Sequence, residues 1–371
     1  MKVIVLGAGL IGKTIAADLS SQYEVCCADF NPEALKEFSA KNIKSQQCDF
    51  SDKPELLKLI EPFDLVIGAV PGFMGYKTLK TIIEAGKNVV DISFFPENPL
   101  DLDALAKKNK VTAVVDCGVA PGLCNLIAGY HNSLSKLNFY ECLVGGLPTV
   151  REWPYEYKAV FSPIDVIEEY TRPARYVENG RQVTREALSD SEYINFENIG
   201  TLEAFNTDGL RTLADTMPHV ENMKEKTLRF PGHIELMKVL RETGFFDKNE
   251  IEINGAKISP LAFTSRLLFP KWKLEKGEED FTIMRVKVKN AKGEYVYVLN
   301  DKADVKGGIT SMARTTAYTC TAVADLVLKG KFIQKGISPP EFIGADAECF
   351  NSVLEYLAKR NVKLNLNFIN N

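Results

Sequence analysis

Three glycines near the start of the chain stand between an apolar run at residues 3–6 and an alanine-rich stretch. Gly7, Gly9 and Gly12 occupy this junction in the sequence VIVLGAGLIGKTIAADL. At this spacing the first glycine permits a tight turn, the second lets the backbone approach a pyrophosphate, and the third allows a helix to pack closely on a strand. Backbone N–H groups at the start of that helix would face the phosphates. The glycines alone are a weak signal, so the residues beyond them decide what the loop does.

Asp29 supplies the second part of this pattern, because it closes the next apolar run (YEVCCAD) about 20 residues beyond the glycines. A carboxylate at this place accepts hydrogen bonds from the hydroxyls of an adenosine ribose and would repel a 2′-phosphate. The residues that follow, Phe30, Asn31 and Pro32, offer no arginine or lysine to hold such a phosphate. The sequence therefore predicts a cofactor site for NAD rather than NADP.

The other predicted cofactor contacts lie in the glycine loop or after later strands. Asp49 would lie near the adenine, although an aspartate before a helix often serves only as its N-cap. The segment at residues 68–72 lacks bulky polar side chains, which suits a surface on which a cofactor lies. An ordinary strand-to-helix turn explains this composition nearly as well. The full set is Gly7, Gly9, Leu10, Ile11, Gly12, Asp29, Asp49, Ala69, Val70 and Pro71.

Alternating strand and helix patterns in the first third of the chain must position these residues. The predicted strands are residues 3–6, 24–28, 43–48, 64–70, 88–92 and 112–116, and the predicted helices are residues 11–19, 32–40, 54–60, 76–85 and 102–108. Apolar strands that alternate with helices indicate a parallel sheet buried on both faces. We predict an α/β fold with an N-terminal Rossmann domain, a doubly wound parallel sheet that binds ligands at the carboxyl ends of its strands.

Beyond residue 125 the pattern changes to longer strands separated by turn residues. These strands are residues 141–147, 226–230, 284–289 and 294–299, and the last two form a predicted hairpin around residues 290–293. They indicate a second, α+β domain on a largely antiparallel sheet. An alanine-rich helix at residues 310–329 is predicted to return to the first domain. We predict an NAD-binding domain of residues 1–122 plus 306–371 and a substrate and dimerisation domain of residues 123–305.

Composition narrows the class of protein. The chain has 371 residues, enough for two domains, and its 45% apolar and 25% charged residues are typical of a globular enzyme. A net charge of −4 without a long basic run argues against a nucleic-acid partner. No apolar stretch approaches the ~20 residues that span a bilayer, and no secretion signal precedes the first strand. We therefore expect a cytoplasmic protein with neither a membrane nor a nucleic acid as partner.

The cysteines and histidines predict no metal site. The eight cysteines are scattered without a CxxC pair, and the chain has three histidines. No zinc-ligand spacing can be assembled from them, so the thiols are interpreted as small apolar core residues.

Five further segments carry a resemblance to a known family. They read YKAVFS at residues 157–162, VDCGVAPGLCN at 115–125, LEAFNTDG at 202–209, TLRFPGH at 227–233 and MARTTAY at 312–318. Together they resemble the saccharopine dehydrogenase family nearly from end to end, and most closely its lysine 6-dehydrogenase branch. Saccharopine-forming relatives carry an acidic residue where this chain has Ala120, in a pattern like GLDPGIDH. Because saccharopine presents three carboxylates, the change to Ala120 argues for a smaller substrate.

The resemblance implies that the chain oxidises the ε-amine of L-lysine. Hydride would pass from Cε to NAD, and the imine would hydrolyse to a semialdehyde that cyclises to piperideine-6-carboxylate. Such chemistry needs a base, a cation for the α-carboxylate and a fixed orientation at the nicotinamide. Two alternatives stay open: oxidation or formation of saccharopine or a related amino-acid imine, and an NAD-binding sensor without activity.

Arginines of the resembling segments are the candidates for carboxylate binding. The resemblance assigns Arg229 to the substrate carboxylate, whereas its other interpretation is a strand arginine in an ion pair. Arg314 and Arg211 are reserve candidates, and Arg314 stands out as a long cation in a helix of small residues.

His233 is the candidate general base, because the start of a helix would disfavour its protonated form. Its alternative role is to order the Pro-Gly turn before it. Asp116, the second catalytic candidate, would attract the lysine ammonium or tie down the following glycine turn. The resemblance implies that Ser93 touches the substrate, and Thr207 and Asp208 are predicted to close the substrate pocket from the second domain. The partners expected are a small amino-acid substrate and further copies of the chain, as a homodimer or higher homo-oligomer.

Overall fold

A computed structural model of the chain describes residues 1–41 and 43–370. The first part alternates strands and helices. In chain order they are β1 (Lys2–Leu6), α1 (Leu10–Leu19), β2 (Glu24–Asp29), α2 (Pro32–Leu35), β3 (Lys44–Gln47), α3 (Lys53–Ile60), β4 (Leu65–Gly68), α4 (Gly72–Glu84), β5 (Asn88–Asp91), α5 (Asp103–Lys108), β6 (Thr112–Val114) and α6 (Leu123–Leu134). Two 3-10 helices, Lys36–Lys41 and Pro99–Leu102, follow α2 and precede α5.

These six strands form one parallel sheet in the order β3-β2-β1-β4-β5-β6. All four residues of β4 are buried, as expected where helices cover both faces of a sheet. The prediction of a doubly wound parallel sheet is confirmed. Two helix predictions differ from the structure: the helix predicted at residues 32–40 is a short α-helix followed by a 3-10 helix, and α4 begins at Gly72 rather than residue 76.

The second part is built on longer strands. Its elements are β7 (Leu137–Pro148), α7 (Pro163–Thr171), β8 (Ala174–Glu178), β9 (Arg181–Arg185), β10 (Glu192–Phe196), β11 (Gly200–Asn206), α8 (Leu213–Thr216), β12 (Asn222–Arg229), α9 (His233–Glu242), β13 (Ile251–Ile253), β14 (Ala256–Ile258), α10 (Pro260–Trp272), β15 (Asp280–Asn290) and β16 (Gly293–Lys302). The chain then runs through α11 (Ser311–Leu328), β17 (Gly336–Ser338), α12 (Pro340–Gly344), α13 (Ala347–Ala358) and β18 (Leu364–Asn370).

The second sheet has the strand order β10-β11-β12-β7-β15-β16-β18, and β8 and β9 extend it from β12. Its pairings are antiparallel except between β12 and β7, which run parallel. The predicted hairpin is confirmed, because β15 and β16 pair from Phe281 with Lys302 to Asn290 with Gly293. The second domain is thus α+β on a largely antiparallel sheet.

The returning helix α11 joins the two parts. It packs against α1, where Thr321 donates a 2.6 Å hydrogen bond to Asp18 and Tyr23 donates one of 2.6 Å to Asp325. One apolar cluster contains residues of both sheets, so the sheets share a core. After α11, β17 adds to the first sheet beside β6, whereas β18 joins the second sheet. The domain boundaries stay a prediction, and the pairing of β18 shows that sheet membership changes again near the C-terminus.

None of the helices in the described part of the chain is long and apolar enough to cross a membrane.

Candidate active-site cleft

A cleft of about 460 Å³ lies between the carboxyl edge of the first sheet and the second sheet. Residues after β1, β4 and β5 line one side, together with residues 118–121. Residues of β7, α7 and β12 line the other side. Ligands of doubly wound sheets bind at this edge, so the cleft is the candidate site for both cofactor and substrate.

The glycine loop forms one end of the cleft. Gly7 has φ of +113°, and a Cβ there would collide with the carbonyl of Ala69. A Cβ on Gly12 would collide with the carbonyl of Gly7, whereas a Cβ on Gly9 would meet no atom within 4 Å. Helix α1 begins at Leu10 without a side-chain cap or an acidic residue in its first turn. The loop therefore leaves open space and unsatisfied N–H groups where a pyrophosphate would lie.

Asp29 lies beside this loop and is held by backbone donors. Its Oδ2 accepts a 2.6 Å hydrogen bond from the N–H of Ala8, and its Oδ1 accepts one of 2.8 Å from the N–H of Asn31. The carboxylate lines the cleft. These contacts fix it next to the glycines, where it can accept hydrogen bonds from ribose hydroxyls.

Nine of the ten predicted cofactor contacts line the cleft: Gly7, Gly9, Leu10, Ile11, Gly12, Asp29, Ala69, Val70 and Pro71. Asp49 is not in this lining. Its Oδ1 accepts hydrogen bonds from the N–H and the hydroxyl of Ser51, at 2.9 and 2.7 Å, and these bonds lower its pKa. The structure thus gives Asp49 a local turn-capping contact.

Arg229 lines the cleft, but each of its three guanidinium nitrogens already donates a hydrogen bond within the protein. Its Nη2 donates to Glu169 at 2.7 Å, its Nε to the Tyr170 hydroxyl at 3.2 Å, and its Nη1 to the carbonyl of Leu228 at 3.0 Å. The guanidinium is buried and lies 4.5 Å from the ring centroid of Tyr157. Arg229 therefore holds Glu169 and Tyr170 in the wall of the cleft.

His233 lies behind Tyr170 and is not part of the cleft lining. Its Nδ1 is 2.9 Å from the carbonyl oxygen of Tyr155, so Nδ1 carries the proton, and Nε2 accepts from the Tyr170 hydroxyl at 2.9 Å. Burial, and then the charge of Arg229, lower the pKa of His233 to about 3. The imidazole is neutral, as the sequence predicted, but burial is the main cause and both nitrogens already have partners.

Asp116 and Ser93 line the cleft from the first sheet. Asp116 accepts a 3.0 Å hydrogen bond from Nε of Arg211, and its Oδ2 has no partner. Burial raises the pKa of Asp116, and the Arg211 guanidinium opposes that rise. Ser93 donates its N–H at 2.8 Å and its hydroxyl at 3.3 Å to Asp91, whose pKa burial raises to about 8.

Thr207 and Asp208 line the cleft from the second part of the chain. The Thr207 hydroxyl lies 3.0 Å from that of Thr227, and Arg175 donates to both oxygens of Asp208 at 2.9 and 3.0 Å.

Arg314 does not line the cleft. It donates to Asp301 at 3.2 and 3.3 Å, so an ion pair explains why a long cation interrupts the small residues of α11.

Helix α7 contributes the residues that the sequence interpretation missed. Asp165, Glu168 and Glu169 follow the spacing i, i+3 and i+4, which places them on one face of α7, and Arg172 is the C-cap residue of this helix; all four line the cleft. This spacing is the signal that could have identified the three acidic residues. Asp165 accepts a 3.3 Å hydrogen bond from the N–H of Gly72, and burial raises its pKa.

Arg172 is the second guanidinium in the cleft lining. Its Nε and Nη1 are buried without hydrogen-bond partners, and its Nη2 lies 3.7 Å from Glu168. The guanidinium carbon lies 4.6 Å from the ring centroid of Phe94, so the ring supports its face. Among the described residues that line the cleft, Arg172 and Arg229 are the only cationic side chains, and only Arg172 keeps unpartnered nitrogens.

Comparison with known proteins gives two family matches that together span nearly the whole chain. Residues 3–114 match the family described as saccharopine dehydrogenase NADP binding domain. Residues 118–362 match the family described as saccharopine dehydrogenase C-terminal domain.

Individual relatives are distant in sequence. An alpha-aminoadipic semialdehyde synthase of Arabidopsis thaliana is 25% identical over 61% of this chain but only 23% of its own length. A carboxyaminopropylagmatine dehydrogenase of Synechocystis sp. is 23% identical over 93% of both chains. A saccharopine dehydrogenase [NADP(+), L-glutamate-forming] of Schizosaccharomyces pombe is 24% identical over 67% of this chain and 59% of its own length.

A solved structure shares the fold. The apo saccharopine dehydrogenase (L-Glu forming) from Saccharomyces cerevisiae superposes with a TM-score of 0.79 at 19% identity, and the match covers 99% of each chain.

Proposed function

Because the chain belongs to the saccharopine dehydrogenase family, we propose that it is an oxidoreductase that oxidises an amine-bearing carbon of an amino acid. The substrate that we propose is L-lysine, and the cofactor is NAD. When bound, NAD would accept hydride from the carbon that bears the ε-amine. The protein supplies binding, orientation and a proton acceptor.

The observation that carries this proposal is the charge pattern of the cleft wall. Arg172 offers one guanidinium with unpartnered nitrogens, which matches a substrate with one carboxylate. The carboxylates of Asp165, Glu168 and Glu169 lie on the same helix face and suit ammonium groups. L-Lysine has one carboxylate and two amines, whereas saccharopine has three carboxylates and would leave charge without a cationic partner.

Two side chains have the main proposed roles. Arg172 binds the α-carboxylate through its free nitrogens, and the Phe94 ring holds the guanidinium plane. Asp165 removes a proton from the ε-ammonium, because its raised pKa moves it toward the range of an efficient base. It accepts a hydrogen bond from the N–H of Gly72, the neighbour of Pro71, and Pro71 is one of the proposed cofactor contacts. Arg229, Tyr170 and His233 form a supporting chain that positions Glu169.

The preference for NAD rests on Asp29. Its carboxylate is fixed beside the glycine loop, and no lysine or arginine among the described lining residues lies there to hold a 2′-phosphate. The matching family is described by NADP binding, and the relative from Schizosaccharomyces pombe is named for NADP(+). In contrast to these, we expect this chain to prefer NAD, because Asp29 would repel a 2′-phosphate: Kd for NAD should be at least about tenfold lower than Kd for NADP.

A second candidate is a secondary-amine substrate. The Synechocystis relative, a carboxyaminopropylagmatine dehydrogenase by name, covers 93% of both chains and so matches this chain in overall length. Such a substrate would place its extra carboxylate against Arg229, which would have to release Glu169.

One assay separates these functions. Purified chain is incubated with NAD or NADP and with L-lysine, saccharopine or no amine, and reduced cofactor is measured. Reduction of NAD with L-lysine supports the proposal, and reduction with saccharopine alone supports the second candidate. Cofactor binding without reduction in the whole panel would indicate a sensor and contradict both.

A further inference from the structure

Two thiols and a carboxyl group meet beneath the cleft, although they are far apart in the sequence. Cys124 lies in the first turn of α6, Cys142 in β7 and Glu225 in β12, where it is the register partner of Cys142. One Sγ or carboxylate oxygen of each residue lies within 4.8 Å of the others, and all three residues are buried.

One polar atom at this cluster lacks a partner. Oε2 of Glu225 is buried without a hydrogen bond, whereas the nearby Tyr140 hydroxyl interacts with all three members of the cluster. Native proteins rarely leave a buried carboxyl oxygen unpaired without something to satisfy it. A ligand at the cluster would satisfy this oxygen.

The backbone at Gly209 lies directly against the carboxyl group of Glu225. A Cβ on Gly209 would overlap the carboxylate of Glu225, so only glycine lets this side chain reach the thiols. Glu225 and Gly209 also line the cleft, which gives solutes a route to the cluster.

We propose that Cys124, Cys142 and Glu225 bind one Zn²⁺ ion. Two sulfurs and one oxygen suit a thiophilic cation, and Zn²⁺ binds sulfur at about 2.3 Å in tetrahedral sites. Tetrahedral ligand atoms would then lie about 3.5–3.8 Å apart, so the three side chains, whose ligand atoms lie within 4.8 Å of one another, would draw closer together on binding. Three protein ligands leave a fourth position for water, and the Tyr140 hydroxyl can hydrogen-bond to that water.

The test uses the full chain and Zn²⁺ alone. Chain treated with a chelator and kept reduced is mixed with excess Zn²⁺, freed of unbound metal by gel filtration, and analysed by plasma mass spectrometry. We expect one Zn²⁺ per chain, at least about tenfold weaker binding in E225Q, and loss of stoichiometric binding in the C124S/C142S double variant. C349S is the matched control and should retain one Zn²⁺, because Cys349 is also buried but bonds to the carbonyl of Lys331 at 3.8 Å.

A second measurement on the unmodified chain guards against misfolded variants. A small alkylating reagent is applied with and without Zn²⁺, and modified peptides are counted by mass spectrometry. Selective protection of Cys124 and Cys142 by Zn²⁺ supports the site. Substoichiometric Zn²⁺ in the unmodified chain, equal binding in C124S/C142S, or equal alkylation with and without Zn²⁺ would overturn it.

Discussion

Arg172 and Arg229 line the same cleft, yet their surroundings give them different tasks. Arg229 donates to Glu169, Tyr170 and a backbone carbonyl, so a substrate carboxylate would have to displace a buried partner. Arg172 keeps two buried nitrogens without partners and therefore gains hydrogen bonds when a carboxylate arrives. A free donor contributes more to binding than one that must exchange partners.

Replacing Arg172 tests this difference. Loss of a charge-assisted hydrogen bond costs about 2 kcal/mol, so R172A should raise KM for L-lysine about thirtyfold while the Kd for NAD stays unchanged. Steady-state kinetics and cofactor titration measure the two quantities. R185A serves as control, because Arg185 is exposed and pairs with Glu178. An unchanged KM in R172A would remove Arg172 from the substrate site.

Proton transfer can be assigned by comparing D165N with H233N. A carboxylate base works only when ionised, so activity should fall as pH drops through the raised pKa of Asp165. D165N should lower kcat at least about 100-fold and abolish this decline of activity at low pH, the acid limb of the pH profile. H233N should lower kcat through Tyr170 but keep the limb, because His233 is neutral throughout with its pKa lowered to about 3. If the limb vanishes in H233N and persists in D165N, the histidine is the base, as the sequence predicted.

Asp91 makes stability depend on pH. Its pKa is about 8 in the folded chain against the ordinary 3.8, so between these values the folded form holds a proton that the unfolded form lacks. The free energy of unfolding should therefore fall as pH rises toward 8, by up to about 1.4 kcal/mol per pH unit. Urea unfolding at pH 6 and 8 should show this loss in the unmodified chain and in D101N, an exposed control, but a weaker one in D91N. An equal loss in D91N would contradict this role for Asp91.

In the glycine loop, substitution of Gly12 and substitution of Gly9 should affect different properties: the first the stability of the fold, the second the affinity for the cofactor. Gly12 packs against the carbonyl of Gly7, whereas Gly9 faces open space in the cleft lining. G12A should therefore lower the free energy of unfolding by about 1–3 kcal/mol. G9A should change it by less than about 0.5 kcal/mol, yet raise Kd for NAD because the methyl group occupies the pyrophosphate space.

Denaturant unfolding and cofactor titration of both variants test the loop. Full NAD affinity in G9A would show that the cofactor does not lie against this turn. Unchanged stability in G12A would show that the close approach to Gly7 can relax.

The two sheets differ in how far the sequence predicts them. Strands β1, β4 and β5 read as apolar runs because both faces are buried, and the glycine loop is a local pattern. Strand β9 is mostly exposed and polar, so its pairing with β8, rather than its own residues, makes it a strand. The spacing of the acidic residues in α7 shows that they share one helix face. Which element this face meets depends on how the two sheets pack, and the sequence does not reveal that.

The whole molecule is held together by one apolar core that both sheets share, and the cleft lies between the carboxyl edge of the first sheet and the second sheet. The first sheet supplies the glycine loop and Asp29, and the second part supplies α7 and β12. The sequence therefore identified nine residues that line this cleft, because they lie in patterns that are local in the chain. It missed ion pairs such as Asp116 with Arg211, because such partners meet only through tertiary packing. The predicted homo-oligomer stays a prediction.

Transfer of deuterium from labelled lysine tests the proposed function most directly. L-Lysine carrying two deuterium atoms on Cε is incubated with NAD and the purified chain, and the reduced cofactor is isolated and analysed by mass spectrometry. If the chain oxidises the carbon that bears the ε-amine, NADH should gain one deuterium. Unlabelled NADH, or no NADH while saccharopine is oxidised, would contradict the assignment to lysine.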